Sequence, residues 1–448
     1  MMFHITSSQS INEIIANVGI IKKVASFAIY LIINRFLNNY NHELLLLRRF
    51  LAHMPLAKFI RCFVDWFRHP CYNTHIKELW EVFLMKVLKD NKASVGKWYR
   101  KELSGGIASN GKPYSITFKK GSINKLMVFF IGGGMSWDNE TANKPITVKT
   151  MLTKKPGYYL SSMPPLLLKL MSVGLLAEKD KRNPFSHWHI LTIPYATADF
   201  HLGNNDFSYQ DGNGHDKVLR HQGAGNVKQA LNFLQETLPE TPESLLIAGV
   251  SAGGWGCVAH APAIHRLYPE CRQVAICVDG SYLPSSKWPE ILQDTWKADP
   301  ELMSHLKSDD LLTDLLHYAK GQLPENAVFL HAMSAYDVDL TRFLNKMTRG
   351  RLEVSSEVLE EFNTGLISTI STLKRSLPNY HYYLTDYGKN KKTGTTPHIF
   401  LGEPGLLYSK MQDGISIVDW LLKGIFGDPI DVGTHFLDET KKAKPDDQ

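Results

Sequence analysis

The chain has 448 residues, 44% hydrophobic and 21% charged, with a formal net charge of +6. It is longer than one minimal core needs, and its composition is that of an ordinary soluble globular protein, which excludes collagen, coiled coil and wholesale disorder. So small a charge, without a basic stripe interleaved with aromatics, also excludes nucleic acid as a partner.

The charge is uneven. Residues 1–70 hold eight Lys or Arg and three acids, so +5 of the total lies there. Ser10 and Glu13 form a capping box, and Ile14, Val18, Ile21, Ala25, Ala28 and Ile32 then recur at helical spacing. The apolar run Val24–Ile33 is too short to span a bilayer, and Asn34-Arg35-Phe36 follows it where a signal cleavage site needs small residues. The expectation is a helical N-terminal region over residues 1–92, with peripheral membrane contact through residues 10–70 as its sharper form. None of the five cysteines forms a CxxC pair or shows zinc spacing, so reduced, mostly buried thiols are expected. That favours a cytoplasmic or membrane-associated protein over a secreted one with disulfides.

From about residue 95 strands alternate with helices. Strands are predicted at Tyr114–Phe118, Leu126–Ile131, Trp188–Pro194, Leu245–Val250, Gln273–Val278, Ala327–Met333 and His381–Leu384. Helices are predicted at Val218–Leu238 and Cys257–Tyr268, and an insertion helix over Pro164–Leu176, near the site entrance or facing the core. The fold class is therefore α/β, a doubly wound, mostly parallel sheet over residues 93–430, with a charged tail at 431–448. Ligands in such sheets bind beyond the C-terminal strand ends, where each motif below lies.

In "LLIAGVSAGGWG" Ser251 sits between Gly249 and Gly253, after an apolar strand and before a helix. This is the pattern of a nucleophile elbow, in which small flanking residues let strand and helix approach closely. The base and acid of such a site follow in the order serine, acid, histidine. "VFFIGGGMSWDN" supplies Gly132–Gly134 after a strand, and with the Ala252 N–H these glycines suit an oxyanion hole. The run lacks the Gly-Lys-Ser/Thr of a phosphate loop. Asp337 follows the Ala327–Met333 strand, ahead of Asp339 and Asp279 as the acid, although a helix N-cap is its ordinary reading. His398 lies on the Gly/Thr/Pro-rich loop after the last strand. The Asp- and His-rich stretch 199–221 has no compact metal-ligand pattern, so no metal is expected.

These motifs, with "NPFSHWHILTIPYATADFHLGNND" and "LRHQGAGNVKQAL", resemble the pectinacetylesterase/Notum family of α/β-hydrolase serine carboxylesterases over about residues 125–425. The resemblance implies a triad of Ser251, Asp337 and His398, with oxyanion donors at Gly133 or Gly134 and at Ala252. It places residues 199–221 beside the site as a loop and helix, with Asp199 or His201 meeting substrate. Trp137 and Trp255 are further substrate-binding candidates, Trp255 equally as core packing. The cysteines that secreted members carry after the glycine run and after the tyrosine are absent at Met135 and Ala196.

The expected function is serine carboxylesterase action on a small O-acyl ester or acylated saccharide, an O-acetyl ester foremost, with no cofactor. The alternative is a hydrolase-fold scaffold that binds a lipid or protein through its helical N-terminal region.

Overall fold

The computed structural model describes residues 85–438, except 148, 149, 151, 152 and 154. The chain divides into two compact units, Met1–Phe83 and Leu84–Gln448. The first unit, and with it the expected membrane contact at residues 10–70, lies outside the described residues.

Nine strands form the main sheet: β1 Lys86–Val87, β2 Trp98–Ile107, β3 Pro113–Lys119, β4 Lys125–Phe130, β5 His189–Ile193, β6 Ser244–Val250, β7 Gln273–Asp279, β8 Val328–Ser334 and β9 Tyr380–Thr385. Their order is β1-β2-β3-β5-β4-β6-β7-β8-β9. Only β3 runs antiparallel to its neighbours. All seven predicted strands are present within a residue or two of their expected ends. They read as near-continuous apolar runs because both faces are covered. Along β4, Leu126, Val128 and Phe130 enter one core, while Met127 and Phe129 enter the other. The first core receives α1 Gly223–Thr237, α2 Ala252–Arg266, α3 Leu311–Lys320, α4 Val338–Arg349 and α5 Ser356–Ser376; the second receives α6 Ile417–Phe426. Each fully buried Leu or Phe in these layers is worth about 1.5–3 kcal/mol relative to exposure.

Four boundaries differ from expectation. The sheet begins before residue 93, because Lys86 and Val87 pair with Tyr99 and Arg100. The body continues past 430, because Val432 is buried and bridges Tyr383, while Asp431 pairs with Lys374 and His381. Residues 216–221 are not the start of a helix; they pair antiparallel with Asn205–Gln210 as a hairpin, and α1 begins at Gly223. This replaces the loop and helix expected there. Finally, the segment 164–176 splits into a helix, Pro165–Leu170, and a 3-10 turn, Gly174–Leu176, whose leucines face the second core.

Candidate active site

The turn after β6 holds Ser251 at φ 52° and ψ −130°. A non-glycine residue there stores about 1–3 kcal/mol of strain, which persists only where the surroundings enforce it. Three hydrogen bonds do so. The Ser251 N–H donates to the Asp279 carbonyl at 2.7 Å, and the Ser251 carbonyl accepts from Gly254 N–H at 2.8 Å and from Ser281 Oγ at 2.7 Å. Glycine is required on both sides. A Cβ on Gly249 would stand 2.1 Å from the Gly253 carbonyl oxygen, and one on Gly253 would stand 2.3 Å from that of Phe130. Both obstacles are backbone. Gly253→Ala is therefore expected to lose about 3 kcal/mol or more, read as a lower unfolding midpoint in urea. An unchanged midpoint would show that the turn relaxes freely.

His398 Nδ1 lies 2.6 Å from Asp337 Oδ2, and His398 Nε2 lies 2.8 Å from Ser251 Oγ. With Asp337 ionised and the imidazole neutral, as the base form requires, Nδ1 carries the proton and donates, leaving Nε2 to accept from the serine hydroxyl. Asp337 is also a helix N-cap. Its Oδ1 accepts from the N–H groups of Asp339 and Leu340, both at 2.9 Å, at the start of α4. The ordinary and the catalytic readings of this residue thus use different oxygens of one carboxylate. Asp337 is fully buried and the His398 side chain is 17% exposed. Burial pushes Asp337 up, against the pull of His398. Burial pulls His398 down, but the charge and hydrogen bond of Asp337, with Asp339 and Asp279, outweigh it and push the imidazole up to about 9.

A cavity of about 20 Å³ opens beside Ser251, lined by Gly134, Met135, Phe200, Ala252, Trp255, Leu283, Leu340 and Phe343. That is room for one methyl or one water. A larger hollow of about 250 Å³, walled by residues that include Arg100, Lys112, Tyr114 and Ala196, contains none of the expected site residues. Gly134 (φ +80°) and Ala252 share the small cavity with Ser251. Ala252 opens α2, so its N–H has no partner within the helix, and the positive helix end lies under the cavity. Gly133 is not among the cavity walls; a Cβ there would meet Tyr195 and Leu160.

The structure does not bring every expected residue to the cavity. Trp255 lines it and stacks on Phe200 at 4.2 Å between ring centres. Trp137 does not; its ring packs against Tyr158 and Phe343, one layer behind the wall. Asp199 and His201 correct the expectation of substrate contact, being 0% and 2% exposed. Asp199 accepts from Thr197 Oγ1 and from the N–H groups of His201 and Gly223, pinning a loop in which Ala198, Phe200 and His201 all have positive φ. His201 Nε2 is bonded to the Ile131 carbonyl, and burial pulls its imidazole down to about 3. Asp199 therefore supports its own loop, and His201 ties that loop to the end of β4. Leu340 and Phe343, missed from the sequence, stand three and six residues after Asp337, within the first two turns of α4. The wall they form is tied to the glycine-loop side by Lys346, whose Nζ lies 2.9 Å from Glu140 Oε1 and Oε2. Cys257, Cys271 and Cys277 are buried and free.

The pectinacetylesterase family model matches residues 99–297, a span that begins at β2 and runs past Ser251. Over these residues the chain is similar to the pectinacetylesterase family. A structure of the Wnt deacylase Notum from Drosophila is similar over 75% of this chain and 93% of its own, at 16% identity and a TM-score of 0.50. No curated protein matches the chain. The structural likeness carries the α/β-hydrolase-like fold, and the pectinacetylesterase match supports a hydrolytic esterase.

Proposed function

We propose that the protein is a serine carboxylesterase that removes a short acyl group, acetyl foremost, from an alcohol or saccharide. The observation that carries this is the unbroken hydrogen-bonded chain from Asp337 through His398 to Ser251 at 2.6 and 2.8 Å. Ser251 Oγ attacks the ester carbonyl as His398 Nε2 takes its proton. The N–H of Ala252 and that of Gly134 or Gly133 hold the resulting oxyanion, each donor being worth about 3 kcal/mol. His398 passes the proton to the departing alkoxide, and the alcohol leaves. Water then attacks the acyl-enzyme with His398 as base, releasing the acid and restoring the serine.

The acyl preference rests on the cavity. About 20 Å³ walled by Leu283, Leu340 and Phe343 fits a methyl more closely than a longer chain. With p-nitrophenyl esters, kcat/KM should fall steeply beyond acetate, and Phe343→Ala should raise it about tenfold on butyrate and hexanoate. A wild-type optimum at medium or long chains would instead assign a lipid-ester hydrolase. Failure of the wild type to react with a fluorophosphonate would favour the binding scaffold.

A further inference from the structure

Asp279 ends β7, is fully buried, and has no task in the chemistry proposed above. It nevertheless touches both the nucleophile turn and the base loop. Its carbonyl accepts the Ser251 N–H at 2.7 Å. Its side-chain Oδ2 accepts the N–H groups of Phe400 and Leu401 at 2.8 and 2.7 Å, two and three residues after His398. The other oxygen, Oδ1, is buried with no hydrogen-bond partner. The next residue, Gly280 (φ +67°), lets the base loop approach closely: a Cβ there would lie 2.7 Å from the His398 carbonyl oxygen and 3.3 Å from its Cε1. A half-satisfied carboxyl in a dry place is costly in stability, so the packing alone gives no reason to keep it.

We propose that Asp279 is a positioning residue that fastens the His398 loop to the Ser251 turn and adds negative charge beside the imidazole. The inference rests on the esterase reading. Fastening matters because a displacement of about 1 Å between reacting groups can cost about 100-fold in rate. The titratable groups facing Asp279 are His398, Asp337 and, on its own strand, Cys277; those facing His398 are Asp337, Asp339 and Asp279. Burial pushes the Asp279 carboxyl up to about 7, against the pull of the Leu401 and Phe400 N–H groups.

Two variants of the full chain, assayed on p-nitrophenyl acetate across pH, test this. Asp279→Ala removes the fastening, and kcat is expected to fall about 100-fold with little change in KM. Asp279→Asn keeps an oxygen for both N–H groups and removes the charge. It should recover kcat to within about tenfold of wild type, with the acid limb of kcat/KM about half a pH unit lower, because His398 loses a charge that favours its protonated form. Thermal unfolding establishes that each variant is folded; if Asp279→Ala is not, the limb shift in Asp279→Asn decides. A folded Asp279→Ala at wild-type rate, or an Asp279→Asn profile that superimposes on wild type, overturns the proposal. Ser251→Ala in the same assay keeps the two claims apart. Activity persisting in that variant would sink the esterase reading, whereas a dead Ser251→Ala beside a fully active, folded Asp279→Ala sinks only the positioning role.

Discussion

Ser251→Ala is expected to lower kcat on p-nitrophenyl acetate by on the order of 10⁶ and to abolish labelling by a fluorophosphonate. The only side-chain hydrogen bond lost is the one to His398 Nε2 at 2.8 Å. The turn's three backbone restraints do not involve the hydroxyl. Alanine keeps the Cβ, so the strain at φ 52° is unchanged and stability should stay within about 1 kcal/mol of wild type. Ser251→Gly separates strain from chemistry. It should be equally inactive yet more stable by about 1–3 kcal/mol, because glycine adopts this conformation freely. Thermal unfolding beside the rate assay reads both. Residual turnover of a few per cent in either variant would place the nucleophile elsewhere.

Asp337→Asn is expected to lower kcat by about 10⁴ while leaving the fold nearly intact. The contrast arises because the two carboxylate oxygens do different work. Asparagine is a good N-cap, so the bonds to Asp339 and Leu340 N–H can persist and α4 keeps its start. What is lost is the charged partner of His398 Nδ1 at 2.6 Å. The pH profile gives the sign. His398 must be neutral to act as base, and its proton is held up to about 9, so wild-type kcat/KM should still be rising well above the ordinary histidine range. Without the Asp337 charge, burial pulls the imidazole down, and the residual activity of Asp337→Asn should level off at lower pH. A variant whose acid limb stays in place would mean that Asp337 does not set the basicity of His398.

Much of this architecture was legible because parallel strands buried on both faces leave uninterrupted apolar runs, as in Leu126–Phe130 and Leu245–Val250. The turn at Ser251 was legible because only glycine fits where strand and helix backbones nearly touch. The strand Trp98–Ile107 was missed, since "WYRKELSGGI" is only partly buried and mixes charge with glycine. In residues 199–221 the many Asp and His side chains drew attention to ligand chemistry. The better signal was the alternation in "NDFSYQ", where every second residue is exposed, followed by an Asp-Gly-Asn-Gly turn. Asp199 and His201 illustrate the limit: a sequence lists an acid and an imidazole, but whether they meet substrate or close off backbone groups depends on burial. Phe343 was hidden for a different reason. Its importance comes from the volume it fills, and volume has no sequence motif.

The two sides of the small cavity are drawn together by Lys346 on α4 and Glu140 beside the glycine loop, side chains 10% and 47% exposed. The pair is thus partly buried, and salt screens it less than it would a fully exposed one. Under the esterase reading, the space beside Ser251 is expected to widen when this contact is cut, so Lys346→Met should favour longer acyl chains. Ionic strength is then expected to act weakly on the choice among esters, read as the ratio of acetate to butyrate kcat/KM in dilute buffer and in concentrated salt.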